Sequence, residues 1–155
     1  MDEQELLITF PLDADGFLRR ACPTCREEFK WLPSSPNRDD EEPRSAYWCP
    51  YCRASAPVGE WATGAQVDHI RNEVLSRTIG PALGSLGASV RRLSSRSGGL
   101  ITATLTMSEP TRAPLIFEPN DMRRVEFPCH PSEQLKVANH WPGAVSCLVC
   151  GSSVA

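Results

Sequence analysis

Apolar and polar residues follow two different periods along this chain, and the change of period divides it. Leu6 to Phe10 is a run of strand formers, Asp13-Ala14-Asp15-Gly16 has the composition of a turn, and Phe17 to Arg20 returns from it, so a short hairpin is predicted. Phe29, Trp31 and Leu32 predict another strand, followed by a proline- and serine-rich stretch and the acidic run Asp39 to Glu42, read as a solvated loop. Near Ala62 the period lengthens. Val67, Ile70 and Val74, continued by Leu75 and Thr78, mark one face of a helix. That helix is predicted to stop at Gly80-Pro81, because proline disfavours helical geometry in the residue before it. Leu83, Leu86, Val90 and Leu93 then resume the helical spacing up to a linker at Ser94 to Gly99. Beyond it Ile101, Ala103, Leu105 and Met107 alternate with threonines, the two-residue period of a strand with one buried face.

The ends of the chain echo one another. Leu-Ile, an acidic turn and Arg19-Arg20 precede Cys25 much as Leu115-Ile116, Asn120-Asp121 and Arg123-Arg124 precede Cys129, and each copy closes on a Cys-x-x-Cys pair. Two related small modules joined by a helix are therefore expected.

Composition narrows the chemistry. With 155 residues there is room for one ordinary domain or two very small ones, and 14 prolines and 10 glycines work against long regular elements. The net charge of −3 supplies no general field for nucleic acid. No apolar run suits a membrane span and the first residues are acidic rather than a basic leader, so a cytoplasmic protein is expected. Seven cysteines cannot all pair within one chain, which favours metal binding over a disulfide framework.

Cys22-Pro23-Thr24-Cys25 and Cys49-Pro50-Tyr51-Cys52 are two turns that each point a pair of thiolates at one place; facing each other, they complete the tetrahedral sulfur cage preferred by Zn²⁺. A redox pair would need a single Cys-x-x-Cys in a strand-helix setting. The second constellation has three thiolates, Cys129, Cys147 and Cys150. Its fourth donor is open between His130, which is favoured, His140, Glu126, water, or no metal at all.

Residues 17–56, with CPTC and WCPYCR on either side of a strand pair, resemble a zinc ribbon of the rubredoxin-like, transcription-factor type; Trp141 to Gly151 resembles the terminal knuckle of a second, degenerate ribbon. The resemblance implies a three-stranded sheet pinned by one zinc in the first copy. It implies no particular job.

Other signals carry less. Val67-Asp68-His69-Ile70 is similar to the first catalytic histidine segment of HNH nucleases, yet no later histidine stands near enough and the period around His69 is helical. Arg71, Arg77, Arg91, Arg92 and Arg96 offer a basic face that is more simply solvated. Trp31, Trp48, Trp61 and Trp141 are expected mostly as packing over the metals.

The expected fold is a small zinc-stabilised α+β protein, with two β-rich ribbons at 1–62 and 100–155 joined by a helical connector at 63–99 and one shared core as an option. Eight ligands are expected for two Zn²⁺ ions: Cys22, Cys25, Cys49 and Cys52, then Cys129, His130, Cys147 and Cys150. No catalytic residue is expected. The expected role is that of an adaptor or accessory subunit that meets a protein partner or a second copy through the helix. The alternatives are a nucleic-acid-associated regulator and, more remotely, an HNH-like nuclease.

Overall fold

A computed structural model describes residues 8–33, 44–96 and 116–154. The predicted strand at Ile101 to Met107, the acidic run at Asp39 to Glu42 and the end of the linker lie outside the described residues, as do Leu6 and Leu7 of the Leu6 to Phe10 run. The chain divides into two compact units, Phe10–Gln66 with Ile116–Ala155, and Met1–Thr9 with Val67–Leu115.

The first unit is mostly antiparallel strand. In chain order it contains β1 (Leu18–Ala21), β2 (Glu28–Trp31), β3 (Ala46–Trp48), β4 (Ser55–Pro57), β5 (Met122–Val125), β6 (Leu135–Ala138), β7 (Val145–Ser146) and β8 (Ser153–Val154). One four-stranded sheet has the order β1-β2-β6-β5, while β3-β4 and β7-β8 are separate hairpins. The three-stranded sheet implied for the first ribbon is thus replaced: each cysteine-bearing segment gives two strands to a common sheet, and β2 pairs with β6 across the middle. Strands this short bury little alone, so joining the two hairpins is the way to build a core.

The register fixes what each face carries. Trp31 lies opposite Leu135 and Lys30 opposite Lys136. Side chains alternate across a strand. One face therefore presents Leu18, Phe29, Trp31, Leu135 and Val137, all buried with Trp61, Phe127 and Leu148 in one core drawn from both segments. The other face carries Lys30 and Lys136, the chain's only lysines. Both are shut from water and both meet the Asp13 carboxylate, at 3.2 and 2.8 Å. Glu118 accepts from Lys30 at 2.9 Å, and Asp15 and Asn120 accept from Lys136. Burial raises the Asp13 pKa, but the two ammonium groups and the amides of Phe17 and Asp15 outweigh it and hold the carboxyl well below the usual carboxylate range.

Asp13 also explains a corrected expectation. Phe17 to Arg20 does not form a hairpin with residues 8–10, which are not strand; Asp13 accepts the amides of Asp15 and Phe17 and closes the turn, and β1 pairs with β2 instead.

Among the described residues the one α-helix, α1 (Gly64–Arg96), runs through Pro81 rather than stopping there. The residue before that proline is Gly80, which has no Cβ to clash with the ring, so the usual restriction is relaxed. Thr63 and Gln66 start the helix with reciprocal bonds: Gln66 N–H donates to Thr63 Oγ1 at 3.1 Å, and Thr63 N–H to Gln66 Oε1 at 3.0 Å. Gln66 Nε2 also donates to Arg19 O at 2.9 Å, tying the helix start to β1. Among the described residues no helix is long and apolar enough to cross a membrane.

Candidate metal centres

Three of the four cysteine turns have one geometry. After Cys25, Cys52 and Cys150 the chain enters the left-handed region, at Arg26 (φ 66°), Arg53 (φ 62°) and Gly151 (φ 70°). The amide of that residue returns to the carbonyl of the first cysteine: Arg26 to Cys22 at 3.0 Å, Arg53 to Cys49 at 3.1 Å and Gly151 to Cys147 at 2.9 Å. The first cysteine's own amide donates onward, Cys22 to Glu27, Cys49 to Ala54 and Cys147 to Ser152. Each loop is thereby closed twice. In the first two, backbone amides also point at sulfur: Thr24 and Cys25 at Cys22 Sγ, Tyr51 and Cys52 at Cys49 Sγ, all at 3.3–3.5 Å. Amide donors favour the thiolate.

These turns meet in pairs. Cys22, Cys25, Cys49 and Cys52 bring their sulfurs within 4.8 Å of one another, as do the donor atoms of Cys129, His130, Cys147 and Cys150. Each group can hold one metal ion. Within the first, Cys22 Sγ lies 3.7 Å from Cys52 Sγ and Cys25 Sγ 3.8 Å from Cys49 Sγ. A disulfide requires about 2.05 Å, and all seven cysteines are free thiols. In the second group Cys147 Sγ is 3.5 Å from His130 Nδ1, and Cys150 Sγ is 3.5 Å from Cys129 Sγ.

The favoured donor His130 is therefore beside the three sulfurs, although it follows Cys129 directly. The chain bends there: His130 N–H donates to Phe127 O and Glu133 N–H to His130 O, a local turn in place of the closed Cys-x-x-Cys loop. His140 sits in the turn after β6 and belongs to neither group. Glu126 is also outside them and accepts from Gln134 at 3.1 Å.

Burial raises Cys22, but the amides of Cys25 and Thr24 outweigh it and bring the thiol down to about 7. Burial pushes Cys25 up to about 11 and Cys49 upward as well. The hydroxyl and amide of Ser152 draw Cys150 down to about 6. A metal ion binds thiolates, so loading at neutral pH expels protons.

The two groups are also joined by backbone. Trp48 N–H donates to Leu148 O at 2.8 Å and Ser146 N–H to Pro50 O at 2.9 Å. In both cases the residue before a knuckle's first cysteine bonds the residue after the other knuckle's first cysteine. That reciprocity, with Lys30 opposite Lys136, describes an approximate two-fold relation between the halves.

Other expected signals fall elsewhere. His69 is inside α1, not on a strand. Arg71 pairs with Asp68 at 3.6 Å and Arg77 with Glu73 at 3.2 Å on the exposed helix surface. Trp31 and Trp61 are buried in the core that also holds Cys22 and Cys49, while Trp48 is 38% exposed and lies against Gly151. Sequence reasoning missed the Lys30–Asp13–Lys136 network and the Thr63-x-x-Gln66 cap. The second was present as a recognisable capping signature.

Comparison of the chain with protein-family models, with curated proteins and with solved structures found no match. What the molecule itself defines is a small α+β protein with mostly antiparallel strands and two cysteine-rich groups that could each hold a metal ion, consistent with zinc-ribbon-like motifs.

Proposed function

We propose that this chain is a non-enzymatic, zinc-stabilised interaction protein, an adaptor or accessory subunit that presents its surfaces to a protein partner. One observation carries the reading: each group supplies four protein donors. A closed tetrahedral ion has no open position for water, so it supports folding and does no chemistry. The separations suit a tetrahedral ion of zinc's bond lengths, with Cys150 Sγ and Cys129 Sγ somewhat closer at 3.5 Å. Sulfurs bonded at about 2.3 Å to one tetrahedral ion stand about 3.8 Å apart, and a sulfur and an imidazole nitrogen about 3.6 Å apart; the first group has 3.7 and 3.8 Å, the second 3.5 Å between Cys147 Sγ and His130 Nδ1.

Apolar residues exposed along α1, among them Val74, Ile79, Leu86 and Leu93, support an interaction role for the helix through a partner or a second copy. Arg71 and Arg77 are engaged within the helix, which weakens the case for a phosphate-binding face.

Metal analysis of the purified chain is the test. Two zinc ions per chain, and loss of tertiary structure on chelation, are expected. A stripped sample that keeps its fold overturns the structural role. Binding to generic DNA that falls steeply with added salt replaces the adaptor by the regulator.

A further inference from the structure

Strand β1 carries two consecutive arginines on opposite faces, and their surroundings differ. Arg19, opposite Lys30, is held by Glu28, Glu118 and Asp121 at 2.9, 2.9 and 2.7 Å. Arg20, opposite Phe29, is on the apolar face. Its guanidinium lies 4.7 Å from the Trp31 ring centroid, its Nε is buried with no hydrogen-bond partner, and among the described residues no carboxylate pairs with it.

Packing alone does not call for a cation there. Counting from the central Lys30–Lys136 pair, the corresponding position in the other hairpin is Val125, opposite Leu135. An aliphatic residue fills it and is buried. The Arg20 Nε–H is withdrawn from water without a partner, a cost that an anion bound beside it would offset.

Beside Arg20 opens a cavity of about 200 Å³, walled by Trp31, Leu32, Tyr47, Val58 and Leu148. Glu133 also lines it, and its carboxylate accepts from Arg44 at 2.9 Å. The space is smaller than the 300–1,000 Å³ usual for whole small-molecule ligands, which suits one side chain and its neighbour. An apolar, aromatic wall with a half-buried guanidinium at one end complements a carboxylate carried next to an apolar group.

We infer that this cavity docks a carboxylate side chain flanked by an apolar residue on a peptide partner, with Arg20 as the charge that recognises it. The inference rests on the interaction reading and names the partner's chemistry.

The probe is the peptide acetyl-Leu-Asp-Leu-amide, titrated into the metal-loaded full chain while the Trp31 indole and Arg20 Nε–H signals are followed by nitrogen-resolved NMR. Saturable shifts at both are expected. The Asn counterpart should bind at least about tenfold more weakly, and Arg20→Met should weaken the Asp peptide by a similar factor while leaving the Asn peptide unchanged. Equal binding of the two peptides to the native chain overturns the assignment, whatever the variant does. So does succinate binding as well as the peptide, which would make the ligand a free small acid. The titration is repeated on a chain with Asp39→Asn, Asp40→Asn, Glu41→Gln and Glu42→Gln; binding seen only there assigns the cavity to the chain's own acidic run and overturns the partner. Metal content is measured on each sample. Failure of the titration with both metal ions in place removes the docking site alone, whereas a wrong metal count removes the proposed function.

Discussion

At the first metal group both cysteine pairs sit in doubly closed loops with amides aimed at sulfur, and Cys22 and Cys49 are built into the core. At the second only Cys147–Cys150 has that loop; Cys129 and His130 are adjacent residues in a local turn, and Cys129 and Cys150 are exposed. The difference teaches that four donors can be brought together with or without a doubly closed loop on each side. The sheet and the reciprocal Trp48–Leu148 and Ser146–Pro50 bonds hold the second group in place from outside it. Its donors converge, but with fewer groups orienting them.

Chelation tests this contrast most strongly. Structural zinc contributes on the order of 10 kcal/mol to folding in small domains, so complete stripping is expected to abolish cooperative unfolding of the unit that carries both groups. Graded chelator should remove the ions one at a time. The second group should empty first, with an affinity about 10–100-fold lower, the usual effect of lost outer-shell bonds. Loss of the first group's ion before the second's breaks the comparison.

Single ligand changes sharpen it. Cys49→Ser is expected to leave the chain unfolded by circular dichroism, because it removes a fully buried ligand from the middle of the core. Cys150→Ser removes an exposed one and should leave one bound metal and a sheet that still unfolds cooperatively. Equal damage from the two would mean that the groups are equivalent after all.

The polar face of the sheet gives the next effect. Asp13→Asn removes the carboxylate shared by Lys30 and Lys136, leaving two buried cations short of counter-charge, and is expected to cost about 3 kcal/mol in denaturant unfolding. The sign with pH follows from the depressed carboxyl. A group whose folded pKa lies below its unfolded value of about 3.9 stabilises above that value and loses its effect as pH falls through the folded one. Between pH 8 and pH 5 the gap between the two proteins should stay constant. A gap that closes by pH 6 would place the charge of Asp13 outside the network.

These effects also mark how much was legible in the residues. The candidate groups were readable because a Cys-x-x-Cys turn is a local device: Cys22 with Cys25, and Cys49 with Cys52, announce themselves without knowledge of the fold. His130 was readable only as a favoured candidate, since adjacency to Cys129 says nothing of how the chain bends. The helix period was plain, but its passage through Pro81 depended on Gly80 standing before it. The shared sheet was not readable. Pairing of β2 with β6 joins residues more than a hundred positions apart, and Lys30 and Lys136 look like ordinary surface charges until that pairing puts them opposite each other. Asp13, read only as a turn residue, is the carboxylate that makes their burial tolerable.

The smallest effect compares the loops themselves. Arg26, Arg53 and Gly151 occupy the same left-handed position, where a side chain costs about 1–2 kcal/mol and glycine costs nothing locally. Arg53→Gly should therefore stabilise the chain, by less than about 1 kcal/mol because glycine also loosens the unfolded state. Gly151→Ala should destabilise it by more than that gain. Besides the backbone penalty, a Cβ at 151 would meet the Trp48 ring at 3.1 Å, and the ring lies where β3 enters the first group's second loop. The strain would thus be felt at both metal groups, visible as a lowered unfolding midpoint and a change in Trp48 emission. If Gly151→Ala is silent while Arg53→Gly is stabilising, the loops are independent and the reciprocal bonds between them contribute little.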